Sequence, residues 1–432
     1  RDAPGTLLRL ARRGPGPQAL RVGALRLLLV HRPEDLVELL EHDREGWPKA
    51  GLGRAEAVIG QGLLTSRGAH HDRQRHLAEA AFAPEQVSAL GGSWRSATER
   101  QLASWRSRPG DHEVFADLRG LSAHCISEAI LGPAAAGESA AVEAHLAACL
   151  AWLNRYPEPL AFLDALPSSA RAAMRRARIH LRGRALEAWT SGRGGPLLAP
   201  LRAARDVRGQ GMDRQAAIDE LLTFLIAAYE PTAVALAWAL WRLVRHPDWQ
   251  QRLADEARAA EAAPSRSPSG GPAGRASNGA RSPLLRAFLA ECLRLHPPIW
   301  VVARRAPGRL TLGGQQVAPG TWLMVSPWVT QRGPAFADAQ DFRPERWLDG
   351  GPAPGAFLPF GWGPRRCLGE GLAMGLMTSF LDLALQGLCF APARSAYGSP
   401  GAARSHEPVL PAAEATITLR PKGGLWLGVS PR

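Results

Sequence analysis

Apolar residues recur at helical spacing over much of the chain. From about Arg73 to Leu243 the pattern is mostly that of amphipathic helices, interrupted at prolines and at the glycine-rich stretch 192–196. Further helices are predicted at Pro33–Leu40, Leu284–Leu295 and Glu370–Leu388. The second of these ends at a His-Pro-Pro sequence, which a helix does not readily continue through.

Shorter segments alternate between apolar and polar residues and end at glycine or proline, as strands do. The predicted strands are Leu20–Val30, Leu310–Leu312, Gln315–Val317, Thr321–Val325, Ala415–Leu419 and Leu425–Val429. The sum predicts a mainly α protein with small β-sheets, an α+β fold class, in a single domain over residues 1–432. Residues 261–283 are rich in Pro, Ser, Gly, Ala and Arg and offer little to bury, so we expect a flexible loop there.

The longest apolar segment, Ile218–Val244, is long enough to cross a membrane. Glu230 and Pro231 lie at its centre, and a charge beside a helix breaker is costly in lipid. We therefore expect a buried helix and no transmembrane segment. No signal-peptide pattern is visible, so a cytoplasmic protein is the default expectation.

Composition narrows the function classes. The formal net charge is +13 and comes almost wholly from arginines, which are spread along the chain without a basic tail or interleaved aromatic residues. That distribution disfavours nucleic-acid binding. The five cysteines are scattered and form no CxxC pair, so neither a zinc site nor a disulfide framework is predicted.

The segment Phe360–Gly369, FGWGPRRCLG, is the most informative stretch. Its three glycines allow tight turns and a close approach of the backbone to a flat ligand. Cys367 lies just before the helix predicted from Glu370, where free N–H groups and the positive end of the helix dipole favour a thiolate. Such a thiolate suits a haem iron. The alternative is a glycine-rich loop with a stray buried cysteine, in which the whole spacing F-G-x-G-x-R-x-C-x-G would be accidental.

This loop resembles the cysteine-loop signature of the cytochrome P450 superfamily at every position of the pattern, and the resemblance extends over nearly the whole chain. It implies the cytochrome P450 fold, with a long helix over the haem and the cysteine loop beneath it. It also implies haem b (iron protoporphyrin IX) as the cofactor and Cys367 as the iron ligand. Phe360 and Gly369 are expected to contact the haem from the same loop.

Two further motifs carry the resemblance. Glu291-Cys292-Leu293-Arg294 resembles the family's ExxR helix, and Phe342–Trp347 resembles its PERF segment. The resemblance implies that Glu291, Arg294 and Arg346 form a buried charge network behind the cysteine loop. The i, i+3 spacing of the first two residues puts them on one helical face, and on its own it suits a surface ion pair equally well.

Four basic residues match positions that hold haem propionates in the family. His71 and Arg75 resemble the H-x-x-x-R of an early helix, Arg304 takes the place of another propionate arginine, and Arg365 lies two residues before the cysteine. The planar fork of arginine matches a carboxylate. Each residue alone would more often be a solvated surface charge, but as a set they predict a propionate site.

The apolar helix resembles the one that crosses the haem, which carries a pattern like A-G-x-E/D-T-T in the family. Ala227 and Ala228 stand for the small residues that leave room for oxygen, and Ala228 is expected to contact the haem. Glu230 matches the acid and Thr232 the last threonine, so we assign both as catalytic candidates. Pro231 replaces a threonine whose hydroxyl helps deliver protons to dioxygen, and proline has neither a hydroxyl nor an N–H.

The resemblance implies a monooxygenase that inserts one atom of dioxygen into an apolar small molecule. The segments that line the family's substrate pocket hold apolar, bulky residues in this chain. Since no flavin or nicotinamide fingerprint occurs, electrons are expected from a separate ferredoxin or flavodoxin with its reductase. A peroxide-driven peroxygenase is the alternative, because some peroxide-using members also have proline in place of the threonine. A non-enzymatic nucleic-acid-binding protein is the least favoured reading.

Overall fold

The computed structural model describes residues 2–43, 46–155, 163–164, 166–262, 282–394 and 411–432. Of the predicted loop 261–283, residues 263–281 lie outside the described residues. The prediction extended slightly too far at both ends, because Glu261 and Ala262 complete one helix and Pro283 begins the next. Proline suits a first helical position, and the Ser282 side chain caps that helix by accepting the N–H of Leu285 (3.0 Å).

Helices dominate the described chain. They are α1 Ala3–Ala11, α2 Pro33–His42, α3 Gly53–Ile59, α4 Gly68–Glu79, α5 Pro84–Ala89, α6 Gly91–Ser107, α7 Val114–Leu131, α8 Pro133–Ala136, α9 Ser139–Leu153, α10 Ser169–Ser191, α11 Leu198–Ala203, α12 Arg214–Arg245, α13 Pro247–Ala262, α14 Pro283–Leu295, α15 Pro327–Thr330 and α16 Glu370–Gly387. The predicted helices at 33–40, 284–295 and 370–388 are therefore confirmed to within two residues at each end.

The strands form small sheets at the edges of the helical body. They are β1 Gln18–Val22, β2 Leu25–Val30, β3 Gly110–Glu113, β4 Val302–Arg305, β5 Leu310–Leu312, β6 Gln315–Val317, β7 Trp322–Val325, β8 Leu388–Pro392, β9 Ala413–Ala415, β10 Leu419–Pro421 and β11 Trp426–Pro431. The largest described sheet has the order β1-β2-β7-β4, in which β2 and β7 are parallel and the other pairs antiparallel. The predicted mainly helical α+β class is confirmed.

One predicted strand, Ala415–Leu419, is wrong. Its central residues form a tight turn between β9 and β10, closed by the N–H of Thr416 donating to the carbonyl of Thr418 (2.9 Å). The β-branched run Thr416-Ile417-Thr418 has the composition of a strand, but its backbone and hydroxyl groups form hydrogen bonds with residues distant in sequence.

Helix α12 runs through the main hydrophobic core. The Asp213 side chain caps its start by accepting the N–H of Ala216 (3.0 Å), and most of its side chains are buried. It packs against α7, α10, α14 and α16, among other elements. Among the described residues this is the helix whose length and apolar composition would allow it to cross a membrane, yet it lies largely inside the protein. Burial in the core accounts for its apolar character.

Candidate active site around Cys367

Cys367 lies at the end of a tightly turned loop. Gly361 and Gly363 adopt positive φ angles of +73° and +58°, which L side chains rarely adopt. The turn brings the backbone N–H of Cys367 to the carbonyl of Phe360 (2.8 Å). Phe360 and Gly369 are both half-buried, and Gly369 precedes the first residue of α16. The loop thus holds the cysteine on a fixed backbone at a helix start.

The Cys367 residue is exposed, yet nearby protein partly removes its thiol from water. The residue is exposed, whereas Cys125, Cys149 and Cys292 are buried. Surrounding protein nevertheless desolvates the thiol and raises its pKa, while the backbone N–H of Gly369 and the charge of Lys49 lower it. A sulfur that is open on one side and supported by a backbone donor on another is suited to bind a metal ion as thiolate.

Two buried arginines near this loop each have a nitrogen without a partner. Arg304 binds Asp43 through Nε (3.1 Å), while its Nη1 has no hydrogen bond. Arg365 donates to the carbonyls of Gly46 and Ser66 (3.1 and 2.9 Å), while its Nη2 has none. Burial, and then the charge of Arg304, lowers the pKa of Arg365 to about 10. Because buried N–H groups normally find an acceptor, these two nitrogens indicate an anionic ligand.

Lys49 belongs to the same group of cations, and the sequence analysis missed it. It forms an isolated antiparallel bridge with Arg304, which sets the two side chains on the same side of the backbone. Burial, followed by the charges of Arg304 and Arg365, lowers the pKa of Lys49 to about 7. The sequence did hold a signal, because Lys49 is one of two lysines among 52 basic residues.

His71 and Arg75 lie on α4, and both are close enough to Arg365 to interact with its charge. His71 is buried, and its Nδ1 lies 2.9 Å from the Asp72 carboxylate. Burial lowers the pKa of His71, and Asp72 partly offsets this effect. Arg75 donates to the carbonyl of Arg366 (2.8 Å), the residue before the cysteine, and to Glu79 (3.1 Å). In this structure Arg75 therefore holds the backbone of the cysteine loop.

The predicted charge network is assembled around a buried carboxylate. Glu291 accepts two hydrogen bonds from Arg294 (both 2.8 Å), one from Arg346 (3.2 Å), one from the indole of Trp347 (2.9 Å) and one from the N–H of Arg343 (2.8 Å). Burial alone would raise the pKa of Glu291, but the hydrogen bonds and charge of Arg294 hold that pKa below its ordinary value. Arg294 is fully buried and also donates to the carbonyls of Gln331, Ala339 and Asp341.

A narrow strip of α12 is open although the helix around it is buried. Ala227 is exposed and Ala228 and Pro231 are half-buried, whereas Ile226 and Tyr229 are buried. Residues 227, 228 and 231 share one helical face. The helix remains continuous through Pro231. The strip therefore exposes small, apolar side chains at the positions where the sequence predicts room for oxygen.

The two catalytic candidates flank Pro231 and are both buried. The Glu230 carboxylate accepts a hydrogen bond from the Thr418 hydroxyl (2.7 Å) and one from Arg420 (3.2 Å), partners that sequence reasoning did not identify. Thr232 follows Ala228 by four residues and so borders the open strip. The structure thus ties Glu230 to the end of the turn between β9 and β10.

Phe82 shows how near the cysteine loop lies to α12. A Cβ added at Gly369 would lie 3.8 Å from the Phe82 ring, and that ring contacts Phe224 edge-to-face at 5.0 Å between centroids. The Phe82 ring therefore bridges the cysteine loop and α12, and it meets α12 at Phe224, about one helical turn before Ala227.

An exposed thiol, an open strip of small residues and two unpaired guanidinium nitrogens fit a flat iron-containing group with carboxylate substituents. Among the described residues, no group of three or more His, Cys, Asp and Glu side chains offers an alternative metal site.

Several known proteins are similar to this chain over most of its length. The family model described as Cytochrome P450 matches residues 186–396. The chain is 30% identical over 373 residues to cyclooctatin synthase of Streptomyces melanosporofaciens, covering 82% of this chain and 78% of that protein. It is 28% identical over 371 residues to pentalenene oxygenase of Streptomyces avermitilis, covering 81% and 79% respectively. The crystal structure of a six-coordinated cytochrome P450 from Thermus thermophilus superimposes with a TM-score of 0.72 at 26% identity, covering 100% of this chain and 98% of that chain.

Proposed function

The chain belongs to the cytochrome P450 family, and on that premise we propose that it is a monooxygenase of a bulky apolar terpenoid with haem b as its cofactor. The observation that carries the proposal is the exposed Cys367 thiol beside the unpaired nitrogens of Arg304 and Arg365. Cys367 would bind the iron, and the two arginines, with Lys49 and His71, would hold the propionates. We also propose that residues 1–432 act as one domain.

When bound, the haem supplies the redox chemistry that splits dioxygen, placing one oxygen atom in the substrate and releasing the other as water. The chain's own residues hold the group, exclude water and move protons. Arg75 and the hydrogen bond from Cys367 to Phe360 fix the loop that carries the thiol. Thr232 Oγ1 would pass protons toward the open strip of α12, and Glu230, hydrogen-bonded to Thr418, would serve as the acid of the relay.

The substrate class rests on the apolar strip and on the relatives. Ala227, Ala228 and Pro231 present an apolar surface without a charged group. One relative is named for oxidising pentalenene, a terpene. A direct test is turnover of terpene hydrocarbons and alcohols under ¹⁸O₂ by the haem-loaded protein with a reductase system. One labelled atom per product molecule is expected. Product that forms only when peroxide is added, with its oxygen taken from the peroxide and not from ¹⁸O₂, would refute the monooxygenase.

Electrons would come from a ferredoxin or flavodoxin with its reductase, in a cytoplasmic setting and without a role for nucleic acid. We expect reduction by an acidic ferredoxin to slow roughly tenfold as ionic strength rises from about 0.05 to about 0.5 M, because salt screens electrostatic steering. Stopped-flow reduction measures this rate. The structure buries Arg365, so Arg366, whose side chain is about half exposed, is the charge beside Cys367 that a partner would meet. Arg366→Glu should flatten the salt dependence, whereas Arg9→Glu in α1 should not, and a salt-independent wild-type rate would contradict the prediction.

Thr232→Ala tests the proton relay. With dioxygen and redox partners, the ratio of product to NAD(P)H consumed should fall by up to about tenfold and released peroxide should rise, because a donor is lost while water partly replaces it. Thr378→Ala in α16 is the control, since that buried hydroxyl bonds the carbonyl of Met374 in its own helix. An unchanged ratio in Thr232→Ala would assign proton delivery to water or to the substrate.

Peroxide-driven turnover is the second candidate, favoured by Pro231, which offers no hydroxyl at the position of the family's usual threonine. In that case Thr232→Ala should barely affect peroxide-driven turnover. Glu230 should matter more, as the base that accepts the peroxide proton. Comparing both oxidants in the same variants separates the two functions.

A further inference from the structure

Pro231 leaves one carbonyl of α12 without its usual helical partner. In an α-helix the carbonyl of residue 227 accepts from the N–H of residue 231, and proline has no N–H. Helix α12 nevertheless continues from Arg214 to Arg245. The Ala227 carbonyl therefore stays in the helical array without an i+4 donor, and the proline ring crowds it and tilts it outward.

This carbonyl lies on the open strip. Ala227 is the exposed residue of the strip, and a helical carbonyl points toward the residue four positions on, which here is the half-buried Pro231. A backbone carbonyl in a partly desolvated site costs free energy unless it accepts a hydrogen bond. The side chains beside it, Ala228 and Pro231, are apolar. When a substrate covers the strip and displaces solvent, the carbonyl needs a donor from the substrate itself.

We propose that the Ala227 carbonyl accepts a hydrogen bond from a hydroxyl group of the substrate, so that the preferred substrate is a bulky apolar alcohol and not a pure hydrocarbon. The apolar body of such a molecule would cover Ala228 and Pro231 while its O–H satisfies the carbonyl. An earlier reaction that installs a hydroxyl group must then supply the substrate. This inference rests on the proposed function and deepens it.

The test compares two probes of similar shape, 1-adamantanol and 1-methyladamantane, by calorimetric titration of the haem-loaded protein. In P231A the restored N–H at position 231 should occupy the Ala227 carbonyl. The ratio of the dissociation constant of the alcohol to that of the hydrocarbon should then rise about tenfold relative to wild type, the loss of roughly one good hydrogen bond. Hydrogen exchange should show a protected amide at position 231 of P231A.

The controls separate this proposal from its alternatives. Thr232→Val should leave the ratio unchanged, and a loss of the alcohol preference in that variant would assign the contact to the Thr232 hydroxyl and overturn the proposal. Equal ratios in wild type and P231A, or no binding of the alcohol to wild type, would overturn it. So would an unprotected amide at position 231, since the carbonyl would then not point along the helix. The titration measures binding and not turnover, so a failure of monooxygenase activity is detected separately under ¹⁸O₂.

Discussion

Cys367→Ala is expected to abolish the red-shifted Soret band that thiolate-ligated haem shows in its reduced, carbon monoxide-bound form. Of the five cysteines, Cys367 is the one whose surroundings suit an iron ligand. Cys125, Cys149 and Cys292 are buried, and burial raises the pKa of each thiol, that of Cys149 to about 12. Burial raises the pKa of the Cys367 thiol as well, but this residue is exposed, lies before α16 and accepts the N–H of Gly369, which lowers that pKa. Its substitution removes the only exposed thiol among the residues that the structure describes.

Cys389→Ala is the matched control, because this half-buried thiol lies in β8, away from the loop. The control variant should keep the full band per molecule of bound haem. Circular dichroism of both variants separates loss of ligation from loss of fold. A red-shifted band that persists in Cys367→Ala would move the ligand to another cysteine and remove the basis of the proposed function.

Local sequence was enough to predict the helices around the site. The helix at Pro283–Leu295 begins at a capped proline and ends before His-Pro-Pro, so its ends are encoded in adjacent residues. Strand β3 was missed because it is short and pairs with β11, near the other end of the chain. Strand β4 is equally short, and strands β5 and β6 separate it from its partner β7. A four-residue segment carries too little periodicity to reveal such a pairing.

The turn between β9 and β10 shows why a strand pattern failed. The carbonyl of Thr416 accepts from the indole of Trp300 (2.8 Å), the N–H of Ile417 donates to Asn154 (2.8 Å), and the hydroxyl of Thr418 donates to Glu230. These partners come from three distant segments. The residues are committed to tertiary contacts, and propensity alone does not anticipate them.

The same distinction applies to the site. The cysteine loop and the ExxR helix are contiguous motifs, so the sequence could identify them. The ion pair of Arg304 with Asp43 and the bridge of Lys49 with Arg304 join segments more than 250 residues apart. Lys49 and Asp43 belong to no sequence motif, so their role is visible only in the fold, which places both beside Arg304.

Glu291→Ala and Arg294→Ala are expected to yield apoprotein or aggregate instead of a folded enzyme with altered kinetics. Arg294 is fully buried, and its guanidinium joins Glu291 to the carbonyls of Gln331, Ala339 and Asp341. Removing either partner leaves the other charge buried and unpaired. Breaking such a pair costs about 3–5 kcal/mol, a large share of the roughly 5–15 kcal/mol that stabilises a folded domain.

The measurements are the haem content of the purified protein and the free energy of unfolding in urea. Glu99→Ala is the matched control, because Glu99 pairs with Arg95 in α6 with both side chains well exposed (51% and 39%). An exposed helical pair contributes about 0.3–0.5 kcal/mol, so this variant should load haem and unfold almost as wild type does. Arg294→Lys keeps the charge but loses the two-point contact with Glu291 and the reach to three carbonyls, and it should fall between wild type and Arg294→Ala. Fully haem-loaded Glu291→Ala with an unchanged urea midpoint would show that the network does not stabilise the fold, and that cysteine-loop geometry depends instead on local turns at Gly361 and Gly363.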